Sequence, residues 1–379
     1  MKKVGVVTGT RADYGIYYPV LQKIKSAGLP LYLYAARMHF APEYGETYKE
    51  ILNDGFEITA KIESLLAGDT GASMARSIGM EVLGFTQAFE THRPDVLLIL
   101  GDRGEMLAAA IAAIHLDIPI LHLHGGEVSK TVDDMVRYAI SRLSHIHLVA
   151  TEKSKERLLK TGEEEWRIKV VGAPRLDSIL HVQLPDRNEI FLKLGIKPEK
   201  KTALAVYHPV TVGEWDAEKK MEEFLQAVTE NLEQIVLIYP NADAGSKKMI
   251  KVIDKYKKHG LVTYKSLNHI DYLALLKNVD IMVGNSSSGI IEAPSFKIPV
   301  VNVGERQEGR ERAENVIDCG ETKEEIIAAI NKALYDKDFK EKLKFVKNPY
   351  GDGKASKRII DLILNLKIDD KLLAKRLTY

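Results

Sequence analysis

Short apolar runs that end in Gly, Asp or Asn alternate along this chain with longer stretches in which apolar residues recur every three to four positions. Alternation of that kind predicts βαβ units and parallel sheets. In the first half, strands are predicted over Val4–Thr8, Leu31–Ala35, Val96–Leu100, Ile118–Leu123 and Ile146–Ala150, and helices over Tyr14–Ser26, Ala72–Thr91, Glu105–His115 and Asp133–Leu143. The apolar runs are nearly continuous, as strands covered by helices on both faces require. A second set begins after Val171-Gly172-Ala173-Pro174, with strands predicted over Ala203–Tyr207, Ile235–Tyr239, Ile281–Val283 and Val300–Val303 and helices such as Met221–Thr229 and Asp271–Lys277. The expected fold class is α/β, with two Rossmann-like doubly wound domains over 1–174 and 175–353. A cleft onto which the loops after the strands open is expected between them.

Composition narrows the function classes. A length of 379 residues suits two domains, and 45% hydrophobic with 28% charged residues is the balance of a globular protein with a solvated surface. Lys plus Arg number 54 against 53 Asp plus Glu, so no overall field favours nucleic acid or an anionic membrane. Phosphate binding must therefore be local. The single Cys319 excludes an intrachain disulfide and has no metal-ligand spacing around it. The N-terminal apolar run is too short for a signal peptide, and no run approaches the ~20 apolar residues of a membrane span, so a cytoplasmic protein is expected.

Candidate chemistry sits at the predicted strand ends. The first strand runs into Thr8-Gly9-Thr10-Arg11-Ala12-Asp13-Tyr14. Such a turn into a helix N-terminus offers free backbone N–H groups to an anion, with Arg11 adding a charged contact; without a ligand it is a βα turn capped by Asp13. It matches neither GxGxxG nor GxxxxGK[ST], which argues against dinucleotide and P-loop enzymes. Val96–Leu100 runs into Gly101-Asp102-Arg103-Gly104-Glu105, where Asp102 alone would read as a helix cap. The neighbouring strand changes that reading. Leu121-His122-Leu123-His124-Gly125-Gly126-Glu127 carries two histidines and a carboxylate, and Asp133-Asp134 opens the next helix with Arg137 one turn beyond Asp133. Carboxylates gathered at adjacent strand ends repel, so at least one is expected to keep its proton to higher pH, the condition for acid–base chemistry near neutrality. A divalent metal is the competing reading. It ranks lower because strand alternation turns only one of His122 and His124 toward a ligand.

In the second half, Tyr207-His208-Pro209-Val210-Thr211 and Tyr239-Pro240-Asn241-Ala242-Asp243-Ala244-Gly245-Ser246 follow strands and read either as turns or as ligand loops. Gly284-Asn285-Ser286-Ser287-Ser288-Gly289-Ile290-Ile291-Glu292 is sharper. Its hydroxyls and backbone N–H groups can donate to a diphosphate without spending positive charge, and Glu292 is placed to accept from ribose hydroxyls. Gly304-Glu305-Arg306-Gln307-Glu308-Gly309-Arg310 adds cations after the last strand.

Together these pieces resemble the UDP-N-acetylglucosamine 2-epimerase family and, within it, the hydrolysing branch of sialic and legionaminic acid synthesis. TGTRADYG, GDR, HGGEVS, DDMVRYAISRLSH, HPV, YPNADAGS, GNSSSGIIEAP and VNVGERQEGR occur in that order over nearly the whole chain. The non-hydrolysing branch has an Ala-Gly-Leu-Arg segment where this chain has Gly125-Gly126-Glu127-Val128-Ser129. The resemblance implies a glycosyltransferase B-type fold in which a C-terminal segment, about 354–379, returns to the first domain. It implies acid–base roles for Asp102, Glu127 and Asp133. It also implies UDP contacts from Arg11, Arg103, His208, Asn241, Tyr272, Ser286, Ser287, Glu292 and Arg306, with Arg11 reaching across from the first domain and Tyr272 near the uracil. The implied reaction takes UDP-N-acetylglucosamine and water to N-acetylmannosamine and UDP, by elimination to 2-acetamidoglucal and then hydration, with no cofactor or metal and in a homodimer or homotetramer. The same reaction on a UDP-2,4-diacetamido-trideoxyhexose, or glycosyl transfer on the same fold, are the alternatives.

Overall fold

The protein was analysed as a computed structural model, which describes residues 1–66, 68, 70–129, 132–210, 215–257, 261–376 and 378. The first unit comprises Met1–Glu127, Asp133–His181 and Tyr350–Tyr379; the second comprises Val128–Val132 and Val182–Pro349. The first unit thus runs past the expected boundary at 174 to include the helix Arg175–His181.

The first unit holds a seven-stranded sheet in the order β3-β2-β1-β4-β5-β6-β7, with all neighbours parallel. Its strands are β1 Val4–Thr8, β2 Leu31–Ala36, β3 Ala60–Ile62, β4 Val96–Leu100, β5 Ile120–Leu123, β6 Ile146–Val149 and β7 Ile168–Val170. The second unit repeats the scheme with six parallel strands in the order β10-β9-β8-β11-β12-β13. These are β8 Thr202–Val206, β9 Gln234–Ile238, β10 Leu261–Tyr264, β11 Ile281–Gly284, β12 Val300–Val303 and β13 Val316–Cys319. Both are doubly wound α/β sheets, as the alternation of runs requires. The continuous apolar runs are used on both faces: Val6, Leu98 and Leu121 join one core of the first sheet, while Val7, Leu97, Ile99 and Ile120 join the other. Strand order reverses between β1 and β4 and between β8 and β11, which marks the strand C-termini at those points as the natural ligand positions in each unit.

The first unit is completed by the chain's last segment. Ile359, Ile360 and Ile363 of the helix Ala355–Asn365 enter the same core as Val4 and Leu21. Asp177 caps that helix by accepting the backbone N–H groups of Ala355 at 2.9 Å and Ser356 at 2.7 Å. Arg167, fully buried, donates to the carbonyls of Lys371, Leu372 and Ala374 at 3.0, 2.8 and 3.2 Å.

Beneath the ends of β1 and β4 lies a buried charge cluster. Arg37 sets its guanidinium between Glu81 at 3.2 Å and Glu105 at 2.8 Å, and Arg103 reaches the other Glu105 oxygen at 3.0 Å. Burial pushes Glu105 up, but Arg103 and Arg37 outweigh it and hold the carboxyl at about 2. Burial and then the Glu105 charge push Glu81 up to about 7. A carboxyl raised in the folded state keeps its proton where the unfolded chain has released it, so its contribution to stability is full below pH 4.5 and is lost as pH rises through 7. Replacing Glu81 with glutamine removes that dependence. Melting temperatures taken from acid to mildly alkaline pH should therefore move in the variant's favour relative to the wild type as pH rises, and a pH-independent gap would show Glu81 ionised throughout.

Candidate active site

In the first unit the loops after β1, β4 and β5 meet at the strand ends. Thr10 is the N-cap of the helix Arg11–Ser26, and a capping box closes it: the Thr10 hydroxyl accepts from the Asp13 N–H, and the Asp13 carboxylate accepts from Thr10 N at 3.0 Å and Gly9 N at 3.3 Å. The Gly9 and Thr10 N–H groups are thus taken by Asp13, and the cap proper is Thr10, with Asp13 as its acidic partner. Arg11 opens the helix and is half-buried in its first turn. Gly9 is required by close approach, because a Cβ there would lie 2.1 Å from a Glu105 oxygen. Arg103 spends one nitrogen on that same Glu105. Burial first, then the Glu105 charge, push Asp13 up to about 6.

Arg137 organises the carboxylates. It lies on the helix Val132–Leu143, 1% exposed, and pairs with both Asp102 and Asp134, the latter at 2.6 Å. It also donates to the backbone carbonyl of Glu127 at 3.0 Å. One buried guanidinium therefore gathers the ends of β4 and β5 and the start of the following helix, and Asp133 stands half-buried in the same helical turn as Asp134. Asp102 and Asp134 keep about a quarter of their side chains exposed, at 22% and 24%, so they remain accessible to a ligand.

The two histidines of β5 and its loop have different fates. His122 is fully buried, with Nε2 on the Gly101 carbonyl at 2.7 Å and Nδ1 on the Ser141 hydroxyl at 3.2 Å. Burial pulls it down to about 3, so it is a neutral brace between β4, β5 and the helix Val132–Leu143. His124 lies beyond the end of the strand at φ +58, and its Nδ1 meets Glu127 Oε1 at 2.5 Å. Glu127 is 4% exposed.

In the second unit, Asn285 assembles the expected nucleotide residues. Its Oδ1 accepts the His208 N–H and its Nδ2 donates to the His208 carbonyl, both at 2.8 Å. The Asn285 carbonyl in turn accepts from Arg306 at 3.2 Å and Gln307 at 2.8 Å. His208 Nδ1 accepts the Asn241 N–H at 3.3 Å, which leaves the ring proton on Nε2 as a donor. Asn285 can sit here because Gly284 adopts φ +139, with space for no Cβ: one would lie 1.9 Å from the Val206 carbonyl oxygen. Tyr272, 7% exposed, donates its hydroxyl to Ser288 at 2.7 Å, and Ser288 donates to Glu292 at 2.6 Å. Ser286 and Ser287 are half-buried beside this relay. Thr211, the last residue of the His208 motif, lies outside the described residues.

Each unit thus brings its own share of the expected residues together. Asn285, Arg137 and Ser288 are the organisers that the sequence reading did not single out. In the sequence Asn285 reads only as part of the serine loop, Arg137 only as a charge on the helix face of Asp133, and Ser288 only as one of the loop's hydroxyls.

Comparison with known proteins identifies the family. The profile of the family described as UDP-N-acetylglucosamine 2-epimerase matches residues 22–364. A Legionella pneumophila protein named UDP-N,N'-diacetylbacillosamine 2-epimerase (hydrolyzing) is 47% identical over 378 residues, 99% of either chain. A Campylobacter jejuni protein named GDP/UDP-N,N'-diacetylbacillosamine 2-epimerase (hydrolyzing) is 36% identical over 84% of either chain. Among solved structures, the UDP-GlcNAc 2-epimerase from Neisseria meningitidis bound to UDP-GlcNAc superposes with a TM-score of 0.79 at 20% identity, covering 96% of this chain and all of that one. The alternating parallel folds, the carboxylates at the strand ends and a match across almost the whole length lead to one conclusion: this chain belongs to the UDP-N-acetylglucosamine 2-epimerase family.

Proposed function

We propose that this chain is a hydrolysing 2-epimerase that takes a UDP-2,4-diacetamido-2,4,6-trideoxyhexose and water to UDP and the free 2-epimeric sugar. The observation that carries the choice of sugar is the 47% identity, across 99% of both chains, with a relative named for that reaction. The motifs by themselves put UDP-N-acetylglucosamine first, with N-acetylmannosamine as product; the relatives move the balance to the 4-acetamido sugar.

The proton on carbon 2 is weakly acidic, so its removal has to be coupled to departure of UDP from carbon 1. In an anti elimination a base takes that proton, the carbon 1–oxygen bond breaks with its electrons going to UDP, and a glucal forms. Water then adds at carbon 1 while a proton returns to carbon 2 on the opposite face. Asp102, Glu127 and Asp133 are assigned to this proton traffic, by direct transfer or through a neighbouring group that they hold. Arg11, Arg103, His208, Asn241, Ser286, Ser287 and Arg306 are assigned to the diphosphate and its developing charge, Glu292 to the ribose and Tyr272 to the uracil end. The Tyr272–Ser288–Glu292 relay supports the last two assignments, because it fixes the Glu292 carboxylate in one orientation.

The test runs both UDP-sugars side by side in heavy-oxygen water and in deuterium oxide. The diacetamido substrate should be preferred in kcat/KM by at least about a hundredfold, because a pocket that hydrogen-bonds one polar substituent rejects the analogue without it. Heavy oxygen should enter the sugar and not UDP, and carbon 2 should carry deuterium. A preference for UDP-N-acetylglucosamine would return the assignment to that sugar. A product with unchanged configuration and no deuterium would reduce the enzyme to a nucleotide-sugar hydrolase.

A further inference from the structure

His124 has three features that no packing role accounts for together. It follows the last residue of β5, and its backbone is in the left-handed region at φ +58. A residue with a Cβ is unfavourable there, and such strain persists where the surroundings impose it. Its Nδ1 is 2.5 Å from a Glu127 carboxylate oxygen, which fixes the proton on Nδ1 and the plane of the ring. Its Nε2 is buried and has no hydrogen-bond partner among the described residues, in a residue only 7% exposed. A buried polar atom left in that state is costly and calls for an explanation.

Two other histidines of the sheet show what bracing looks like. His122, two residues earlier, has both ring nitrogens engaged. His147 also meets a carboxylate, Glu163, at 3.0 Å, and likewise leaves its other ring nitrogen, Nδ1, buried without a partner, but it lies within β6 in ordinary strand conformation and is fully buried. Glu163 there is held by Lys375 at 2.8 Å as well, so that cluster ties down the chain's last segment. His124 differs in position. Its loop is the one whose Glu127 carbonyl is gripped by Arg137, and Arg137 also holds Asp102 and Asp134. The unpartnered nitrogen therefore belongs to the same cluster of strand-end loops as the carboxylates.

We infer that His124 serves one face of carbon 2 through Nε2, and that Glu127 acts through it as a positioning residue rather than touching the substrate. This inference rests on the proposed epimerase reaction. As a base, neutral His124 takes the carbon 2 proton onto Nε2 while the carbon 1–oxygen bond breaks and its electron pair leaves on UDP; as an acid, the imidazolium returns a proton to carbon 2 as water adds at carbon 1. Either way Glu127 keeps Nδ1 protonated and offsets the positive charge that the ring carries in one of its two states. The arrangement of a carboxylate orienting an imidazole is a general one for proton transfer.

The backbone supplies an unusually clean test. Glycine adopts φ +58 without strain, so His124→Gly removes the ring while relieving the local conformation, and leaves a space the size of imidazole. The wild type is assayed first with the diacetamido nucleotide sugar and with UDP-N-acetylglucosamine, and a wild type that releases UDP from neither sinks the epimerase reading itself. With an active wild type, His124→Gly should lose ~100- to 10,000-fold in kcat with KM nearly unchanged, and added imidazole should restore a measurable part of it. Glu127→Gln should also lower kcat, but imidazole should not rescue it, because the ring is still present. The double variant should be no slower than His124→Gly alone, as expected when one residue acts only through the other. Turnover of His124→Gly within a few-fold of wild type, or losses that multiply in the double variant, would overturn the inference while leaving the epimerase reading standing.

Discussion

Asp102→Asn and Asp133→Asn enzymes are expected to fold, bind UDP as the wild type does, and turn over ~100- to 10,000-fold more slowly, the usual contribution of a general acid or base. Asparagine keeps the shape of the aspartate and still accepts a hydrogen bond, but it does not exchange a proton near neutral pH. Asp102 is the more demanding case because it also pairs with Arg137. That guanidinium keeps Asp134 at 2.6 Å and the Glu127 carbonyl at 3.0 Å, so it is not stranded by the change. The stability cost should accordingly stay on the order of 1–2 kcal/mol, within what a lost charged hydrogen bond removes. Circular dichroism melting with a continuous UDP-release assay separates the two effects. Should both variants turn over at near wild-type rates, these carboxylates are caps and the proton traffic runs elsewhere.

The second large effect concerns Gly284, at the junction from which Asn285 holds His208 and Arg306. An alanine Cβ would fall 1.9 Å from the Val206 carbonyl oxygen, which is backbone and has no flexible end to give way. The oxygen also accepts the Asn285 N–H at 3.1 Å, so moving it away breaks the bond that starts the serine loop. Gly284→Ala should cost on the order of 3 kcal/mol or more in the unfolding of the second unit and weaken UDP binding severely. Gly195→Ala is the control: Gly195 also has positive φ, at +63, but nothing lies within 4 Å of its would-be Cβ. It should lose only the ~1 kcal/mol of the left-handed conformation and bind UDP normally. Denaturant unfolding with calorimetry of UDP binding reads both, and equal behaviour of the two variants would remove Gly284 from the nucleotide site.

The sequence makes the interior of both sheets legible and hides their borders. Every interior strand shows itself as a mainly apolar run, because a strand buried on both faces admits few polar positions, His122, His147 and Asn302 among them. The four strands without such a signal, β3, β7, β10 and β13, are the outermost strands of the two sheets. They are three or four residues long and partly exposed, and Lys61, Lys169, Thr263 and Asp318 break their apolar pattern. At the site the same division holds. Residue types at strand ends are legible, since Gly, Asp, His and Ser cluster there. The pairings are not: Arg137 meets Asp102 from a different element, and the left-handed turn at His124 depends on how β5 ends against the loop. The capping box at Thr10 was within reach of a pattern search, being Thr followed by an acid three residues on, and would have shown that Asp13 takes the Gly9 and Thr10 N–H groups.

The return of the last segment to the first unit also sets an order of events during synthesis. Val4, Leu21 and Leu98 need Ile359, Ile360 and Ile363 to close their core, and Asp177 and Arg167 need partners from the same late segment. On a ribosome, the whole of the second unit emerges after His181 and before that segment, an interval of roughly ten to forty seconds at ordinary elongation rates. The second unit, continuous from Val182 to Pro349 apart from one short strip, has all of its sheet in hand during that interval. The core shared by the first sheet and the helix Arg11–Ser26 meanwhile lacks the three isoleucines that complete it. Vectorial synthesis therefore inverts the usual rule that the N-terminal domain matures first, because the first unit is complete only when the helix Ala355–Asn365 arrives.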